Sequence, residues 1–83
     1  MFIFNMMEKV DNRADNMLAV MRFEMDWRLN AAKHLESQAH CIKRPENYDM
    51  KQMMLDTACK CRREVLEISD CYYKLKDVMN KLH

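Results

Sequence analysis

Glycine is absent from this chain of 83 residues, and there is one proline, Pro45. Sheet proteins need turns, and turns draw on Gly, Pro, Asn and Asp. With no Gly and a single Pro, the chain has material for about one sharp reversal, so composition points to an all-α fold. Paired cysteines are also missing. The four cysteines, Cys41, Cys59, Cys61 and Cys71, form no C-x-x-C motif. Cys59 and Cys61 are two apart, which on a helix turns them to different faces. That excludes the usual zinc-ligand spacing, and no metal or cofactor is expected. Small buried hydrophobes in a reducing compartment are expected instead.

Charge of one sign is lacking as well. Fourteen basic residues face thirteen acidic ones. The balance is local: residues 1–44 carry seven and six, residues 45–83 seven and seven. No basic face is large enough to neutralise a run of phosphates, which argues against a nucleic-acid partner. Nor is there a long apolar run. Met1–Met7 is apolar, but it lacks a basic leader and is followed at once by Glu8 and Lys9. It is too short for a signal peptide, and nothing approaches the roughly 20 apolar residues of a spanning helix. A soluble, cytoplasmic protein without a membrane partner is expected. A single domain over 1–83 is the most this length allows, and one so small is marginal unless a disulfide, a metal or a partner staples it.

What is present is a seven-residue repeat. Met54, Ala58, Cys61, Val65, Ile68, Tyr72, Leu75, Met79 and Leu82 follow one another at steps of four and three. That spacing is the apolar stripe of a heptad helix. Leu55, Cys59, Leu66 and Tyr73 widen it on one side. Asn47 is the expected N-cap, with Glu46 and Asp49 near the positive end of the dipole.

The first half carries a second stripe: Met7, Val10, Ala14, Met17 and Met21, then Met25 one residue late, then Leu29 or Arg28, Ala32, Leu35 and Ala39. The extra residue predicts a stutter or a bend. Together the stripes predict an antiparallel, coiled-coil-like two-helix hairpin. Its first helix spans about 5–40, its turn about 41–47 and its second helix about 48–82.

Paired residues in such a hairpin have a constant sum of residue numbers. Met7 with Leu82, Val10 with Met79, Ala14 with Leu75, Met17 with Tyr72 and Met21 with Ile68 give 89. Met25 with Val65, Ala32 with Ala58 and Leu35 with Leu55 give 90. The midpoint falls at Pro45, where turn chemistry also places the reversal.

Some apolar residues are left over. Val20, Phe23, Trp27 and Ala31 recur at helical spacing, with Phe23 and Trp27 about 200° around the helix from Met21 and Met25. They face away from the seam and form a candidate partner interface, Trp being the residue most enriched at interface hot spots. The alternative is a short extra N-terminal helix, Phe2–Met7, folding back over them. Ten methionines are present. Most belong to the seam as core filler, while Met50 and Met53 near the turn are further candidates for an adaptable binding surface.

An enzyme is not expected. His34 and His40 do not share a face, Glu36 and His40 lack the inward carboxylates of a di-iron bundle, and no Asp or Glu falls on the seam. Arg28, facing Cys61, is the one polar seam residue, and snorkelling accounts for it.

The stretch from Leu29 through Pro45-Glu46-Asn47-Tyr48 to Tyr72-Tyr73 resembles the E-type cochaperones of type III secretion needle subunits, the YscE/SsaE-like family. Those proteins are about this size and form helical hairpins, and the Salmonella-type branch has a similar Pro-x-x-Tyr turn and Tyr-Tyr pair. The resemblance, over somewhat more than half the chain, implies a cytoplasmic heterodimer with a TPR-like chaperone. The pair would hold the needle subunit monomeric, and the family implies no catalytic residue. The alternative is a self-associating protein: a homodimeric four-helix bundle of a phage or regulatory kind.

Overall fold

The computed structural model describes the backbone of residues 2–82 and the side chains of residues 12–82. Two α-helices, α1 (Phe2–His40) and α2 (Tyr48–Leu82), fold back on each other around a single 3₁₀ turn, Pro45–Asn47. There is no strand among the described residues, and the helical hairpin expected from the two stripes is the fold. Residues 2–7 belong to α1 and form no separate helix. The expected pairs of Met7 and Val10 lie outside the described side chains.

The reversal follows from its residues. Cys41 and Ile42 donate backbone N–H groups to the Gln38 and Ala39 carbonyls at 3.1 Å, closing α1 with tight turns. Arg44 is extended, with φ −84° and ψ 129°, as the residue before a proline prefers to be. Pro45 opens the 3₁₀ turn, where its missing N–H costs nothing. No described residue has a positive φ, so a chain without glycine makes this reversal without strain. Asn47 lies inside the turn and donates its N–H to the Arg44 carbonyl at 3.0 Å, so it is not the N-cap of α2.

The seam differs from expectation on α1. The residues turned inward are Ala14, Leu18, Met21, Met25, Arg28, Ala32, Leu35 and Ala39, at steps of four and three throughout. Met17 points outward, 52 % exposed. From Ala14 to Ala39, among the described side chains, the repeat therefore has no stutter: Leu18 replaces Met17, and Arg28 occupies a regular heptad position. On α2 the expected stripe from Met54 to Met79 is buried or half-buried at every position, and Leu82 is exposed.

The register also moves. The inward positions pair at one constant sum, 93: Met21 with Tyr72, Met25 with Ile68, Arg28 with Val65, Ala32 with Cys61, Leu35 with Ala58 and Ala39 with Met54. Cross-helix contacts agree. Arg28 meets Glu64, a sum of 92, and Leu29 shares a groove with Val65 and Leu66, sums of 94 and 95. Arg62 meets Glu36 at 98. Helical side chains lean toward their own N-terminus, so long antiparallel pairs meet at sums above that of their backbones. The midpoint thus lies between Glu46 and Asn47. A four-three repeat can be matched to its reverse in two ways half a heptad apart, and centring it on Pro45 selects the other one.

The core this seam encloses is thin. Among the described residues it consists of Ala32, Ala39, Ala58 and Tyr72. The molecule is a rod of 68 × 16 × 13 Å with a radius of gyration of 19.1 Å, against about 12 Å for a compact chain of this length. Its accessible surface is 6986 Å², against about 5,300 Å² for a compact protein of this mass.

Candidate partner-binding faces

On α1, Val20 and Phe23 are exposed, Phe23 at 66 %, and Trp27 is 44 % exposed despite its size. Ala31 is half-buried. These four candidates form one contiguous stripe, extended by Met17. A shallow apolar groove lined by Asn16, Met17, Val20 and Met21 continues it toward the open end of the hairpin. Met50 and Met53 are also exposed, but they do not join it. Met50 is two heptads before Glu64 and so lies on the same flank of the rod, at the turn end. In the observed register Met53 is level with His40, on the order of 15 Å along the axis from Ala31 at 1.5 Å per residue.

Trp27 is held in place by its neighbours. Its indole N–H donates to Glu24 Oε2 at 2.8 Å. The Arg28 guanidinium stacks over the indole, 4.4 Å from its centroid. Arg28 also donates to the Glu24 carboxylate and, at 3.0 Å, to the Glu24 backbone carbonyl. Its Nε donates to Glu64 Oε2 on α2 at 2.7 Å. Arg28 therefore does not snorkel into water. Its side chain is 19 % exposed, with carboxylates on both sides. The hydrogen bond from Trp27, and then that from Arg28, holds the Glu24 carboxyl below its ordinary value. Hydrogen bonds to Glu64 and Glu24 raise Arg28.

A second face lies on the opposite flank. Glu64 and Leu66 sit either side of Val65, about 200° apart around α2, so the Trp27 brace and Leu66 are on opposite sides of the rod. Leu66 is 71 % exposed and Tyr73 63 %. Leu66 lines a groove with Leu29, Arg62 and Val65. Arg62 pairs there with Glu36 through two hydrogen bonds, of 2.9 and 2.7 Å. Tyr73 packs edge-on against buried Tyr72, with ring centroids 5.2 Å apart. From the sequence these residues only widened the seam. Their own heptad spacing, Cys59, Leu66 and Tyr73 at steps of seven, marked a separate face.

The cysteines depart from expectation. Cys61 is half-buried on the seam, but Cys41, Cys59 and Cys71 are exposed, and all four thiols are free. Cys59 and Cys71 occupy positions flanking the seam, where a heptad helix leaves them to solvent. Among the described residues no group of His, Cys, Asp or Glu side chains could hold a metal ion, and no helix is long and apolar enough to cross a membrane.

Comparison of the chain with protein-family models, with curated proteins and with solved structures returns no match.

Proposed function

We propose that this chain is a protein-binding hairpin whose α1 face, centred on Phe23 and Trp27, docks on a folded partner protein. The observation that carries this is the mismatch between core and surface. Among the described residues three alanines and one tyrosine form the buried core, while Met17, Val20, Phe23 and Trp27 lie in water. Such a chain gains stability by mass action when a partner binds its folded form. The brace on Trp27 adds to this. An aromatic ring already fixed by Glu24 and Arg28 loses little freedom on binding, which is how preorganised anchors gain affinity.

We further propose that the partner is a TPR-like chaperone and that the pair holds a type III secretion needle subunit monomeric in the bacterial cytoplasm. This finer role rests on the resemblance carried by Pro45–Tyr48 and Tyr72-Tyr73, and on the hairpin fold that the resemblance implies.

The test is co-expression of the tagged chain with the products of neighbouring genes. A TPR-like protein and a needle subunit are expected to co-purify. Trp27→Ala is expected to abolish the complex while leaving helical circular dichroism of the chain largely intact. Retention of the partner by the Trp27→Ala variant would sink the docking face. Unfolding of the variant on its own would show the stripe to be core.

A further inference from the structure

We propose that the partner's contact is a single amphipathic α-helix, laid lengthwise in the groove between α1 and α2 on the Trp27 flank as the third helix of a bundle. This rests on the docking of a partner at that flank and names what the flank receives.

The seam itself is open there. Each helix meets the other through two lines of its heptad. Among the described residues every buried side chain lies on one of these lines: Ala32 and Ala39 on α1, Ala58 and Tyr72 on α2. The other line carries Met21, Arg28 and Leu35 on α1 and Cys61, Ile68 and Leu75 on α2, and all six are only half-buried. Side chains three and four residues apart are neighbours on a helix. Glu24 is three residues after Met21 and four before Arg28, and Glu64 stands in the same relation to Cys61 and Ile68. The half-buried line therefore borders the flank of Glu24, Trp27 and Glu64. Glu36 is four residues after Ala32 and three before Ala39, and Arg62 stands likewise to Ala58 and Val65. The buried line borders their flank, which is the closed one.

Both walls of the open groove carry exposed apolar side chains, Met17, Val20 and Trp27 on α1 and Val78 on α2. Val78 is two heptads after Glu64 and so shares its flank. The sum of 93 sets it level with Asp15, close to Met17. A half-buried floor between two walls that both follow heptad spacing is a seat for another heptad helix. The middle of the groove sets that helix's charge. There Glu24 and Glu64 share the single Arg28 guanidinium, which leaves one negative charge over. A helix that covers this site brings a Lys or Arg to its centre, with apolar residues to either side.

The probe is a synthetic helix of about three heptads, roughly 32 Å long at 1.5 Å per residue. It has leucine on its stripe, glutamine outside it and one lysine beside the stripe at its centre. Added to the full chain, it should shift Trp27 emission to the blue and raise the thermal midpoint. Glutamate in place of the lysine should weaken binding about tenfold or more, and the same composition in scrambled order should not bind. Val78→Lys in the chain should weaken binding about 30-fold or more, as at an interface hot spot. Leu66→Lys, on the closed flank, should leave it unchanged. Both side chains are exposed in the hairpin, so helical content should hold. A heptad peptide that does not bind, a scrambled one that binds equally, or indifference to Val78→Lys or to the lysine's replacement would overturn the proposal. The natural complex gives a second readout. Cys71 is exposed on the α2 wall of the groove, seven residues after Glu64, and Cys59 is exposed on the closed flank. With the partner bound, a maleimide should label Cys59 and spare Cys71. Labelling of both, in a complex that Trp27→Ala abolishes, would overturn the groove and leave the docking face standing. A complex that survives Trp27→Ala with Cys71 spared would do the reverse.

Discussion

The Arg28 guanidinium joins three side chains, Glu24, Trp27 and Glu64, and so ties the tryptophan face of α1 to α2. Arg28→Met should leave the half-buried Glu24 and Glu64 carboxylates without their shared cation, so thermal unfolding should shift downward, as when one partner of an ion pair is removed. The same change should free the indole. Trp27 is the single tryptophan, so its fluorescence anisotropy should fall and partner affinity should weaken. If anisotropy is unchanged, Arg28 does not hold the ring. On the sequence alone Arg28 is an oddity on an apolar stripe. No periodicity reveals it as a hub, because its partners are one residue away, one turn away and on the other helix.

The carboxyls of Glu24 and Glu36 lie below their ordinary value of 4.5, through hydrogen bonds led by Trp27 and Arg62 respectively. Folding therefore favours their charged forms. Their contribution is fully present above pH 4.5 and is lost as pH falls through the lowered values. A Glu24→Gln, Glu36→Gln variant should melt lower at neutral pH and lose less on acidification. Parallel acid profiles for the two proteins would rule out this source of pH dependence.

At the scale of elements, α2 was legible and α1 only partly so. The stripe of α2 keeps unbroken steps of four and three from Met54 to Leu82. On α1, Met17 and Leu18 are both apolar and adjacent, and choosing Met17 forced a stutter that Leu18 removes once Arg28 is admitted to the seam. The register was ambiguous for a related reason: a regular repeat contains no mark that fixes its slide, and the contacts that do, Arg28–Glu64 and Glu36–Arg62, are invisible in the pattern. The helices approach where Ala32, Ala39 and Ala58 leave no side chain in the way. Ala58→Leu should therefore overpack the seam and cost about 1–3 kcal/mol, read as a lower urea midpoint with an unchanged slope. An unaffected midpoint would mean that the seam has slack at Ala58.

For the molecule as a whole, the reversal and the all-α class were written in what the chain lacks. The absence of glycine and the single proline match a turn with no positive φ. The candidate interface was half legible. The Phe23–Trp27 stripe stood out because its residues could not reach the seam, and the structure leaves them in water. The Leu66 face did not stand out, because residues next to a stripe look like its margin. Composition likewise cannot tell a seam position from its neighbour, so Cys59 and Cys71, beside Ala58 and Tyr72, are exposed where buried cysteines are expected. On binding, Trp27 emission should shift to the blue as its 44 % exposure is removed. An unshifted spectrum in the complex would place the partner elsewhere.

The brace across the helices has a consequence for synthesis. Arg28 and Glu64 are separated by 36 residues, so during translation the tryptophan face leaves the ribosome well before the side chain that steadies it. Contacts near Pro45 close short loops and those at the far end close long ones, which cost more chain entropy. Closure from the turn outward is therefore the cheaper order in chain entropy, and it covers the start of α1 last. A partner that engages Trp27 early would meet a bare helix, and the nascent chain would then close α2 onto an α1 that is already held.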